Sequence, residues 1–76
     1  MEEDIKKFII DMFMYGEGSI ENDQQLFEAG ILDSLGFMKL LAFIENKYGI
    51  KASMSEIAIE RFGTVNDIAA FIKGKQ

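Results

Sequence analysis

The 76-residue chain contains no cysteine, no histidine and no proline. Without cysteine there is no disulfide framework and no thiolate metal site, and without histidine the usual zinc constellations are excluded as well. The same two absences remove a Ser-His-Asp or Cys-His nucleophilic apparatus, so no serine here has a histidine to activate it. Without proline nothing interrupts a helix from within, and the glycines are spaced so as to end helices. Long apolar runs are lacking too. The longest near the start, Phe8 to Tyr15, is broken by Asp11 and preceded by acidic residues instead of the basic flank of a signal peptide. Nothing is long enough to span a bilayer, so the expectation is a cytoplasmic protein without membrane insertion.

What is present is an apolar content of 49%, enough for a globular fold. One domain is expected over residues 1–76. A chain so short buries only about 60% of the surface its unfolded form exposes, which leaves a small core and little room for a deep active site. The net charge of −5 is unevenly spread: residues 1–38 hold nine acidic and two basic side chains, residues 39–76 four acidic and six basic. The first half would repel a phosphate backbone, which argues against nucleic acid as a partner. Proteins with basic docking surfaces fit better, although solubility alone accounts for the same charges.

Along the chain the apolar spacing is helical. Glu2, Glu3 and Asp4 suit a first helical turn, and Ile5, Phe8, Ile9, Met12 and Phe13 recur on one face before Gly16, which predicts a helix over about 3–15 with its methionines and aromatics in the core. Residues 16–33 lack a sustained period and read as a long loop. Leu26 and Phe27 would pin it to the core, with a helical turn near Asp23 to Glu28. From Ser34 to Tyr48 the period returns, with Phe37, Leu40, Leu41, Ile44 and Tyr48 on one face and Gly49 as the stop. Leu35, Met38 and Ala42 fall on another side, which means either a helix buried on two faces or an exposed docking patch. Ser53 with Glu56, and Thr64 with Asp67, have capping-box spacing. They predict a short helix or turn ending near Phe62 and Gly63, then a last helix with core residues Val65, Ile68, Ala69 and Ile72 and Gly74 beyond its end. The fold class is all-α, a four-helix bundle with three longer helices, one short helix before the last and a long first loop.

The stretch Leu26 to Phe37 turns at Gly30 and delivers Asp33 and Ser34 to the start of the second helix. Unpaired N–H groups and the positive end of the helix dipole favour an anion there, so Ser34 is well placed to carry a phosphate ester. Aspartate and serine are also the commonest helix N-caps, so capping stands as the other reading of this pair.

With these features in place, the chain resembles the acyl carrier protein family, which includes the peptidyl and aminoacyl carriers. The resemblance spans nearly the whole length and rests on the Gly30-Ile31-Leu32-Asp33-Ser34-Leu35-Gly36 segment, the long first loop and the Phe62-Gly63-Thr64-Val65 lead into the last helix. It implies that a phosphopantetheinyl transferase attaches 4′-phosphopantetheine from coenzyme A to Ser34, with Asp33 assisting recognition by the transferase. It implies that Leu35, Met38, Lys39 and Ala42 meet partner enzymes. The arm would carry acyl or aminoacyl groups as thioesters, loaded by an adenylating ligase or an acyltransferase and passed to downstream synthase or tailoring enzymes. The carrier itself would be a monomer and not an enzyme.

Lys39 and Lys47, opposed only by Glu45 on the second helix, depart from the acidic second helix of fatty acid synthesis carriers. The motif forms are closer to freestanding carriers of specialised-metabolite pathways, with D-alanine transfer to cell-wall polymers as the alternative. A reading from another class is an unmodified interaction module in which Ser34 merely caps the helix.

Overall fold

The computed structural model describes residues 1–53 and 55–76, with Ile59 described by its backbone alone. Among these residues there are three α-helices, α1 (Glu2–Phe13), α2 (Ser34–Tyr48) and α3 (Val65–Lys75), one 3-10 turn (Ile59–Arg61) and no strand. The fold is all-helical and of the acyl-carrier type. Where a short element before the last helix is expected, the described residues show the 3-10 turn Ile59–Arg61. The expected span from Ser53 to Phe62 also crosses residue 54, which lies outside the described residues.

The α1 helix opens with Glu2, Glu3 and Asp4 in its first turn, where the dipole favours them. It stops at Phe13, two residues short of the expectation, because Tyr15 already takes a left-handed backbone at φ +57°. The Ile10 carbonyl closes this end by accepting the Met14 and Gly16 N–H groups, both at 3.0 Å. The α2 helix ends as its sequence predicts, on Gly49 at φ +65°, a conformation that costs glycine nothing. At the start of α3, Thr64 Oγ1 accepts the Asp67 N–H at 3.0 Å. Gly74 does not stop this helix, which continues to Lys75.

Each helix contributes one stripe to a single core. Ile5 and Ile9 come from α1, Phe37, Leu40, Leu41 and Ile44 from α2, and Val65, Ile68, Ala69 and Ile72 from α3. Phe8 stacks on Phe43 with ring centroids 4.1 Å apart, clamping α1 to α2. Since Phe13 lies against the first turn of α2 at Gly36 while the earlier Phe8 meets the later Phe43, the two helices run antiparallel. A second run of rings, Phe27, Phe37, Phe62 and Phe71, crosses the core with successive centroids 5.9, 5.1 and 4.9 Å apart. Met12 departs from its expected place. It lies beside the Ile5 and Ile9 stripe and is 51% exposed, because three helices do not surround α1.

The loop between α1 and α2 is held at Leu26, which is fully buried. Its N–H donates to the Gly63 carbonyl at 2.8 Å, and its carbonyl accepts from Ile31 and Leu32 at 3.0 and 3.2 Å. A further bond from the Asn66 N–H to the Asn22 carbonyl, at 3.0 Å, ties the loop to the first turn of α3. Phe27 is half-buried, and the expected helical turn lies slightly later, where Ala29 and Gly30 donate to the carbonyls of Gln25 and Phe27.

Glu56 gathers the turn that precedes α3. Its carboxylate accepts the Ser53 N–H at 2.9 Å, the Ser53 hydroxyl at 2.9 Å and Lys75 Nζ at 2.9 and 3.1 Å. The Ser53 backbone bond first, then Lys75, hold its carboxyl down from the ordinary 4.5 to about 2. A carboxyl depressed in the folded state contributes stability that is complete above its unfolded value and lost as pH falls toward its folded value. Thermal unfolding of the wild type and Glu56→Gln, followed by circular dichroism, should therefore differ at pH 6 and converge as pH falls from about 4.5 to about 2.

Candidate functional site at the start of the second helix

The start of α2 is organised by Asp33. Its backbone is extended at φ −123°, and its carboxylate Oδ1 accepts the Gly36 N–H at 2.7 Å. The N-cap is therefore Asp33, and Ser34 is the first helical residue. This separates two roles that the sequence left joined. Ser34 is exposed, and its Oγ has no hydrogen-bond partner among the described residues. The capping role that the interaction-module reading gave to Ser34 is filled by Asp33.

Gly36 explains how the site is seated. It is buried, and a Cβ there would stand 3.1 Å from one edge carbon of the Phe13 ring and 3.2 Å from Asp33 Oδ1. A side chain at this position would press on both the cap and the ring that underlies it. The signal was in the sequence, since a glycine in the first turn of a helix costs about 1 kcal/mol relative to alanine and calls for a packing reason.

A phosphopantetheine ester on Ser34 fits these surroundings. The hydroxyl projects into solvent, and the Ser34 and Leu35 N–H groups belong to the first turn, where a helix offers no internal acceptor. They face the same end as the dipole of a 15-residue helix, which favours the negative charge of a phosphodiester.

Around Ser34 the surface is apolar. Leu35 is 67% and Met38 58% exposed, and Ala42 and Lys39 are exposed as well. Burial on two faces is thereby excluded for this set. Glu45 is turned inward to accept the Ala52 N–H at 3.0 Å, so the open side of α2 shows Lys39 and Lys47 and no free carboxylate. The exposed acidic residues Glu17, Glu21, Asp23 and Glu28 lie on the preceding loop.

Residues 3–72 match the family described as phosphopantetheine attachment site. The chain belongs to this family. Its members carry 4′-phosphopantetheine covalently, and they are carriers and not enzymes. Among curated proteins this carrier is 40% identical over 76 aligned positions to the D-alanyl carrier protein of Streptococcus uberis (strain ATCC BAA-854 / 0140J), with 95% of each chain covered. It is 38% identical over 74 positions to the D-alanyl carrier protein of Streptococcus equi subsp. zooepidemicus (strain MGCS10565), covering 93% of this chain and 94% of that one. A chain in the solved structure described as "Crystal structure of FAD-dependent dehydrogenase" superposes with a TM-score of 0.78 at 38% identity, covering 88% of this chain and 96% of its own length. The two coverages mean that the matched chain is of comparable size to this one.

Stability measurements distinguish cap from hydroxyl. Asp33→Ala should cost about 0.5–2 kcal/mol in urea unfolding through loss of the cap, whereas Ser34→Ala, at an exposed position with no bond to lose, should stay within about 0.5 kcal/mol of wild type.

Proposed function

We propose that this protein is a D-alanyl carrier whose arm is attached at Ser34 and whose cargo serves the modification of cell-wall polymers. The observation that supports this most directly is the end-to-end match to D-alanyl carrier proteins, which covers 95% of this chain and of its relative at 40% identity. That match favours the D-alanyl alternative over the specialised-metabolite role that the motifs first suggested. The residue assignment has its own support: Ser34 is the exposed hydroxyl at the first helical position, beside an aspartate that already supplies the cap.

In this reading the Ser34 Oγ attacks the phosphorus that bears the pantetheine unit of coenzyme A. One P–O bond forms and the pyrophosphate P–O bond breaks, releasing adenosine 3′,5′-bisphosphate, with the hydroxyl proton passing to a base on the transferase. The arm supplies a terminal thiol on which an amino acid is held as a thioester, in a chain that has no cysteine of its own. The protein's part is to hold Oγ clear of the cap, to place a favourable helix end beside the phosphodiester, and to present Leu35, Met38, Lys39 and Ala42 to partners. Tethering raises the effective concentration of the cargo at whichever partner docks. The partners are a phosphopantetheinyl transferase, an adenylating ligase that activates D-alanine, and a downstream acyl-transfer protein.

The attachment site is tested by intact mass after incubation with coenzyme A and a broad-specificity phosphopantetheinyl transferase. Wild type should gain one arm on the peptide containing Ser34, and Ser34→Ala should gain none while keeping its helix content. An arm on the alanine variant would refute the site. The cargo is tested by offering the armed protein D-alanine or L-alanine with a D-alanine-activating ligase, where only the D-isomer should add mass.

A further inference from the structure

The first turn of α2 holds the hydroxyl on which the proposed function depends, and helix ends are where the backbone frays. Gly36 occupies the third position of that turn and is buried. It is not among the positive-φ glycines, so the backbone conformation does not call for glycine there. The reason is space. A Cβ on Gly36 would stand 3.1 and 3.3 Å from Cε1 and Cζ of Phe13 and 3.2 Å from Asp33 Oδ1, each closer than ordinary van der Waals contact. Alanine is the better helix former, so the turn gives up helix propensity to admit the ring.

Phe13 is the last residue of α1. Its ring is half-buried, meets Phe8 edge-on with centroids 6.1 Å apart, and through Phe8 joins the stacked pair that clamps α1 to α2. The first turn of α2 therefore has two supports that meet at Gly36: the Phe13 ring, referenced to the aromatic clamp, and the Asp33 carboxylate, which accepts the Gly36 N–H at 2.7 Å. Ser34, two residues earlier, is carried by the turn they hold. The supports differ in how they yield. Asp33 is exposed while the ring is packed against Phe8, so pressure from an added Cβ falls on the cap.

We propose that Phe13 is a positioning residue for transfer of the arm. Its ring, seated against Gly36, holds the first turn of α2 and the Asp33 cap in one geometry, so that the transferase meets the Ser34 Oγ already in place. Preorganising a reacting atom lowers the barrier to the step itself without strengthening docking. Its mark is a change in kcat with KM unchanged, because the exposed residues Leu35 and Met38 are left as they are. This inference rests on attachment of the arm at Ser34.

The test uses the full chain without its arm, with coenzyme A and a broad-specificity phosphopantetheinyl transferase, reading the initial rate of mass gain against carrier concentration. Gly36→Ala, which presses on the cap, and Phe13→Leu, which withdraws the ring edge, should each lower kcat about tenfold with KM unchanged. The double variant should return kcat close to wild type, since the added Cβ takes the space that the ring leaves. The Gly36 amide proton in NMR spectra should move upfield in each single variant as its bond to Asp33 weakens, and return in the double. Circular dichroism at the assay temperature shows whether each variant is folded. Single variants that transfer at the wild-type kcat, or a double no faster than the slower single, would overturn the proposal. Should a single variant fail to fold, the double must still fold and transfer near the wild-type rate, and the proposal fails if it does not. A wild type that takes no arm on Ser34 would instead refute the attachment site, and this proposal with it.

Discussion

The hydrogen bond from the Gly36 N–H to the Asp33 carboxylate, at 2.7 Å, is the interaction on which the site depends. A helix must begin somewhere, and its first N–H groups must find acceptors. By meeting one of them from the residue before the helix, Asp33 leaves Ser34 inside the first turn with a hydroxyl that has no structural duty. The glycine that donates the bond also lets the Phe13 ring close beneath it. Cap, close approach and free hydroxyl are thus one local arrangement written in four consecutive residues.

Much of this was legible from the residues. The α2 helix was bounded correctly at Ser34 and Tyr48, since its apolar period is long and Gly49 is an unambiguous stop. The core stripes of all three helices follow from their spacing for the same reason. What could not be read depended on tertiary neighbours. Asp33 and Ser34 are both good caps, and only the backbone geometry chooses between them. Met12 shares a helical period with Ile5 and Ile9, but a bundle this small has nothing to place over it. The turn after Ser53 carries a helix-start signature, and the bond from the Ser53 N–H to Glu56 is half of that capping box, yet the described residues that follow make only a 3-10 turn before Phe62 and Gly63. Tyr15 was hidden by the glycine that follows it, which looked like the sufficient cause of the turn.

The distribution of charge acquires meaning only on the folded surface. As a string, the first half of the chain is acidic and the second mildly basic. In three dimensions the loop carboxylates and the two lysines of α2 lie on either side of the serine in chain order, with Glu45 withdrawn to hold the Ala52 amide. The exposed side of α2 is therefore opposite in sign to the protein as a whole, while Asp4 and Asp11 of α1 line a groove beside it. Net charge describes how the molecule behaves in solution, while recognition is governed by the few charges beside the apolar patch.

The bond between the Leu26 amide and the Gly63 carbonyl has a mechanical meaning. It makes the long loop a strut that runs from the entrance of α3 to the entrance of α2, so the anchor point of the arm is referenced to the body of the bundle at both ends. A carrier that flexed at its anchor would spread its cargo over a wide volume without adding reach. With the arm attached at Ser34 as proposed, the protein is the handle and the reach toward successive enzymes belongs to the prosthetic arm.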